Sequence, residues 1–296
     1  MLFRSLTGGP VTVDHATIIL SGAGSVFRAG DGTTFTTLEQ SLTTVAAGGA
    51  LEVLAARPFT STKALADNGT IQLGGGTLTA TGLSVGASAH LTGFGVVTPS
   101  SKTIANAGTI EANGGTLSTA SVITGAGALR ADAGATLLLS GVGDTAGSVV
   151  NNGTVTLAAN ATLTVTGSID AASTGIFQLN ASSLLTVGAD LGSADKMNFL
   201  GTGELAISTA AQFGLNVGQT SYKGPLLEHF VAGDHILLSD IAAAGLTPNY
   251  TAATGLLQLN NGSANVATLA FDKATLGAGA FQVTADAQGH AVISHS

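Results

Sequence analysis

The chain has 296 residues, a formal net charge of −8, 9% charged and 4% aromatic residues, 42 glycines and no cysteine. With 45% hydrophobic residues it lacks the low hydrophobicity and high net charge of a disordered chain, and scarce large side chains leave only a thin core column of Val, Leu, Ile and Ala. Nine Lys and Arg spread singly give no basic stripe for nucleic acid, lack of Cys excludes disulfides and thiol chemistry, and no apolar run reaches the roughly 18–20 residues that span a bilayer as a helix.

Met1-Leu2-Phe3-Arg4-Ser5 lacks the apolar stretch of a secretory signal, and residues 1–8 are expected to be a non-native start. Residues 9–190 are expected to be repeats. Asn68-Gly69-Thr70-Ile71, Asn106-Ala107-Gly108-Thr109-Ile110 and Asn152-Gly153-Thr154-Val155 each lead a Thr-Leu pair by a similar interval. A second element, Gly-x-Gly-x-apolar, begins at Gly22, Gly93, Gly125 and Gly201. Between these glycines, Thr154-Val155-Thr156-Leu157 and Ala161-Thr162-Leu163-Thr164-Val165 alternate with the period of a strand whose apolar side faces inward. Asn-Gly and Gly-Gly steps mark corners, because Gly and Asn accept positive φ. Strands of four or five residues repeating at about twenty residues per coil predict a right-handed parallel β-helix, a β-solenoid forming a single elongated all-β domain of about ten to twelve coils. Helical periodicity is sustained nowhere.

The composition shifts near residues 175–195. Phe and Tyr cluster from Phe177 onward, whereas between Lys63 and Gly175 Phe94 stands alone. Residues 191–296 are expected to be a C-terminal module, either wider final coils or a cap, because an open solenoid end presents unpaired N–H and C=O groups.

The repeated Asn-x-Gly-Thr-Ile, Gly-Gly-Thr-Leu and Gly-x-Gly-x-Leu units resemble the Gly-rich β-helical repeats of bacterial surface and autotransporter-passenger proteins of adhesin type. The run Phe230-Val231-Ala232-Gly233-Asp234-His235-Ile236-Leu237-Leu238, with Phe271, Phe281 and Gly289-His290-Ala291-Val292-Ile293, resembles modules that close alphaproteobacterial repetitive secreted proteins. The resemblance implies a secreted or cell-surface location, contact with a host or neighbouring cell surface, carbohydrate or matrix, and no catalysis. An autotransporter's terminal barrel is not represented in Ser294-His295-Ser296, which leaves the export route open.

The enzymatic alternative is a polysaccharide lyase or hydrolase. It needs paired carboxylates and draws on Asp132, Asp144, Asp170 and Asp190 aligning on successive coils; Arg130 and Asp132, two apart, would share a face. Solvated charges at turns are the simpler reading. Glu228, His229, Asp234, His235 and Asp240 form the densest titratable cluster and raise a divalent-metal reading, against which Gly233-Asp234 reads as a turn. Gly74-Gly75-Gly76 and Gly114-Gly115 continue into Thr-Leu without the acid of a calcium β-roll. Gly22-Ala23-Gly24-Ser25 opens no helix, so it is no dinucleotide loop. Asp14-His15 without a Gly-x-Ser-x-Gly elbow reads as a surface strand. Asn-x-Ser/Thr sequons at Asn68, Asn152, Asn160, Asn180, Asn249 and Asn261 include three Asn-Gly corners, where stacked amides form ladders. No catalytic, cofactor-binding or metal residue and no cofactor is assigned. The expected function is structural and adhesive; a phage or capsule-associated fibre is the third alternative.

Overall fold

The computed structural model describes residues 5–277 and 279–296, so positions 1–4 of the expected non-native start lie outside the described residues. The fold is all-β, about 2% helical, a stack of parallel coils forming a β-solenoid of about eight turns. Fewer turns form than the expected ten to twelve because stretches around residues 22–41 and 208–225 leave the coil path, and most of the strand after residue 242 is antiparallel hairpin. Two compact units divide the chain, Met1–Gly141 and Val142–Ser296.

In the first unit the strands Thr17–Ser21, Ala50–Leu54, Thr70–Thr79, His90–Val97, Thr109–Thr119 and Ala128–Ala131 pair in parallel, each with the next. Register partners Ala50, Thr70, His90, Thr109 and Ala128 recur every 19 or 20 residues, the expected coil length. A second parallel sheet of six short strands runs from Val13–Asp14 to Val122–Thr124. Alternation does the sorting: Leu51, Ile71, Leu91, Ile110 and Leu129 stack inward and are buried, each contributing about 1.5–3 kcal/mol. The Gly-Gly steps are bends within long strands. The ladder slips between Gly74 and Thr77 and again between Gly93 and Gly95. Gly93 has φ +110°, and a Cβ there would lie 2.0 Å from the Leu73 carbonyl oxygen, so that bend requires glycine.

The corners differ in phase from the sequence reading. The residue two before the corner glycine is the one turned inward: Asp67, Asn106 and Asn151 are buried, whereas Asn68 is exposed and Asn152 half-buried. Asp67 Oδ1 accepts the Gly69 N–H at 3.0 Å. Asp67, Val85 and Asn106 are register partners, so the corner side chains stack coil on coil. A Cβ on Gly127 would lie 2.6 Å from Asn106 Cγ; the glycine is required because the preceding coil fills its space.

Residues 22–41 form the first unit's excursion, containing Arg28–Gly30, Phe35–Thr37 and the four-residue helix Leu38–Ser41. Arg57, 5% exposed, holds it: Nε and Nη2 donate to the Ser25 carbonyl at 3.1 and 2.9 Å, Nη1 to the Pro58 carbonyl at 2.8 Å, and Nη2 to the Glu39 carboxylate.

In the second unit, register partners on one face are Thr162, Leu184, Glu204 and His235, and on the other Thr154, Ile176, Lys196 and Leu226. The last coil is widened by about ten residues on both faces. Antiparallel strands then take over: Ile236–Leu238 pairs with Ala291–Ile293, Phe281–Ala285 lies on His290–His295, and Leu246–Thr251, Leu256–Asn261 and Ala264–Phe271 form a meander. Hairpins end the parallel ladder that an exposed strand would otherwise extend. Phe230 is the hub beneath them, with ring centroids 5.2 Å from Phe199, 5.3 Å from Phe271 and 6.4 Å from Phe281.

Candidate functional site

The densest outward-facing polar network in the first unit lies on three successive coils. Thr92, Glu111 and Arg130 are register partners, so they form one column on the solenoid's outer face. Two residues on come Asn113, on the strand of Glu111 and therefore on the same face, and Asp132, the residue that follows Ala128–Ala131; the Asp132 N–H donates to the Ala112 carbonyl at 3.0 Å. Arg130 Nε lies 3.0 Å from Glu111 Oε1 and 2.9 Å from Asp132 Oδ1. Asn113 Nδ2 donates to Asp132 Oδ2 at 2.7 Å, and Thr92 Oγ1 to Glu111 Oε2 at 3.4 Å. Arg130 Nε thus lies within hydrogen-bond reach of one oxygen from each of two carboxylates. Partial burial pushes Glu111 above the usual carboxylate range, Asp132 adds to this and Arg130 opposes it. Arg130 is raised, chiefly by its hydrogen bond to Asp132.

Two residues on from Thr92, along the strand His90–Val97, stands Phe94, 38% exposed. Its ring rests against glycines of the coils on both sides. A Cβ on Gly75 would lie 3.0 Å from Phe94 Cε2, and one on Gly115 3.0 Å from Phe94 Cβ and Cγ. The Gly-Gly steps therefore leave an aromatic surface bare on the outer face.

The other candidates from sequence are dispersed. Asp144 and Asp190 are buried in the second unit. Asp190 accepts from the Gly192 and Ser193 N–H groups and from Ser193 Oγ, and Asp170 accepts the Ala172 N–H; Asp144, Asp170 and Asp190 form no exposed row. Glu228 pairs with Lys196 at 2.7 Å. Asp234 lies in the turn read from Gly233-Asp234, accepting the Val231 and Gly203 N–H groups at 2.8 and 3.2 Å, and Asp240 accepts the Ala210 N–H with both oxygens. His229 and His235 are exposed, and among the described residues no three His, Cys, Asp or Glu are grouped to hold a metal. Asp14, read as a surface strand residue, is a buried corner residue whose Oδ1 accepts the Ala16 N–H at 2.9 Å. The corner turns it inward, where burial raises its pKa.

The buried corner acids are structural. Burial pushes Asp67 to about 7 and Asp195 to about 8, and both are enclosed in the core. A recess of about 1030 Å³ runs along Thr17–Ser21, lined by apolar residues such as Val11, Ile18, Leu20 and Phe27; Asp14 and His15 are its titratable lining residues. No helix among the described residues is long and apolar enough to cross a membrane. No protein-family model matches the chain, and none of the curated proteins matches it.

Proposed function

We propose that this β-solenoid is an extracellular structural and adhesive element of a bacterial surface, non-catalytic, which displays polar faces to a neighbouring cell, carbohydrate or matrix. The observation that carries this reading is the tiling of hydrogen-bonding side chains in register over a closed apolar interior: Gln72, Thr92, Glu111 and Arg130 on one outer column, and Thr156, Gln178 and Asn198 on another. Thr156 Oγ1 donates to Gln178 Oε1 at 3.0 Å across coils. Such columns repeat a weak contact at each coil, and many weak contacts add up through effective concentration. Beads coated with the purified chain should adhere to bacterial or host-matrix surfaces and bare beads should not; equal attachment contradicts the reading.

One observation favours a second reading, a polysaccharide-active enzyme: the Glu111 and Asp132 carboxylates share Arg130 beside exposed Phe94. Incubation with pectin, alginate and cellulose separates the two readings. New reducing ends or unsaturated products, lost in Glu111→Gln, establish the enzyme.

A further inference from the structure

We infer that Phe94, Asn113, Glu111, Arg130 and Asp132 form a binding site for a neutral pyranose glycan. The inference rests on the adhesive reading and names the class of ligand it engages.

Phe94 supplies the apolar platform. A large side chain on an outer face is ordinarily flanked by side chains of the coils on either side, which cover its edges. Here its neighbours are glycines 75, 114 and 115, and Phe94 remains 38% exposed although backbone surrounds it. A pyranose ring has an apolar C–H face that an exposed aromatic ring can cover, removing both from water.

The polar groups suit hydroxyls. Glu111 and Asp132 present acceptors. Arg130 is 45% exposed in its side chain, and its close contacts to both carboxylates run through Nε; its two Nη groups make no hydrogen bond to the described residues, so they remain donors. Asn113 uses Nδ2 on Asp132, which leaves its amide oxygen as an acceptor. Vicinal hydroxyls, each both donor and acceptor, match this alternation. The spacing fits as well. Coils are stacked about 4.8 Å apart, close to the advance of one sugar unit in an extended β-linked chain, so a glycan lying along the stacking direction meets one polar side chain of the column Thr92, Glu111 and Arg130 at each coil.

Charge selects among glycans. The patch holds two carboxylates and one guanidinium, and the chain carries −8 overall. A uronate polymer would be repelled by the net field, whereas a neutral chain is not.

The test uses the purified full chain titrated with cellohexaose, and with hexamannuronate as the acidic comparison, followed by calorimetry and by backbone amide shifts. Cellohexaose should bind, with shifts centred on residues 92–95 and 111–115, and hexamannuronate should bind more weakly. Phe94→Ala should weaken cellohexaose about tenfold or more, Phe94→Trp should retain it, and Asn249→Ala, at an exposed position of the second unit outside the outward columns, should leave it unchanged. Circular dichroism melts of each variant separate loss of binding from loss of fold. No cellohexaose binding by the wild-type chain, preference for hexamannuronate, or equal affinity of folded Phe94→Ala overturns the site. Bead attachment is read in parallel: attachment that persists in Phe94→Ala with no glycan binding removes the site and leaves adhesion standing. Glycan binding without attachment keeps the site and removes the adhesive reading.

Discussion

The amide oxygen of Asn151 stands 2.4 Å from where a Cβ on Gly175 would lie, so the corner of one coil is closed by a side chain of the coil before it. Gly175→Ala forces that side chain or the backbone to move and should cost about 1–3 kcal/mol. Gly24 has nothing within 4 Å of an added Cβ, and Gly24→Ala should stay within about 0.5 kcal/mol of wild type. Thermal melts of the two variants check this; equal midpoints contradict the corner-filling role.

Asp67 sets a pH dependence. Burial holds its carboxyl at about 7 in the folded chain against 3.8 for the free side chain, so the folded state binds the proton more tightly. Its stabilising contribution is fully present below about pH 4 and is lost as pH rises through about 7; Asp195, held at about 8, extends the window upward. The urea midpoint should therefore fall between pH 5 and pH 8. Asn106 already occupies the equivalent corner two coils on, so Asp67→Asn should fold, flatten this dependence and be more stable than wild type at pH 8. An unchanged slope in Asp67→Asn contradicts the assignment.

Arg57 and Arg130 each pair with carboxylates, but their side chains are 6% and 45% exposed. Removing Arg57 leaves Glu39 and two carbonyls without their donor and frees the excursion at residues 22–41, a loss of about 3–5 kcal/mol. Arg130→Ala removes solvated contacts and should cost no more than about 1 kcal/mol. Urea denaturation of both variants gives the comparison; similar losses would contradict it.

Phe230 touches Phe199, Phe271 and Phe281 at the closed end of the second unit. Phe230→Ala should destabilise by about 3–5 kcal/mol and, by loosening the hairpins that end the parallel ladder, promote association between chains. Calorimetry with light scattering reads both effects; a variant that melts like wild type and stays monodisperse contradicts the capping role.

Much of the coil was legible because its rule is local. Alternation in Thr154–Leu157 and glycine at the bends are read within a few residues, and the twenty-residue repeat follows from them. The phase of the corners was not, because Asn68-Gly69 and Asn152-Gly153 form the stronger local turn signal while the buried side chains, Asp67 and Asn151, sit one residue earlier. The shared face of Arg130 and Asp132 was legible from their spacing of two. Glu111 was missed because its contact with Arg130 crosses coils, and the signal that finds it is the repeat itself: stepping back one coil length from Arg130 lands on Glu111. The Arg57–Glu39 pair offered no such signal, since the excursion that brings the two together interrupts the repeat.

Every outward column, the candidate site included, depends on coils stacking in parallel at a fixed register, and cysteine cross-linking tests that directly because the native chain has none. Thr92 and Glu111 are register partners, so Thr92→Cys with Glu111→Cys places the Cα atoms about 4.8 Å apart, within disulfide reach. Thr92→Cys with Asn113→Cys is displaced two residues along the strand, to about 8 Å, beyond it. Rapid oxidation of the first pair and not the second is the result the solenoid register predicts; failure of the first pair, or equal cross-linking of both, contradicts it.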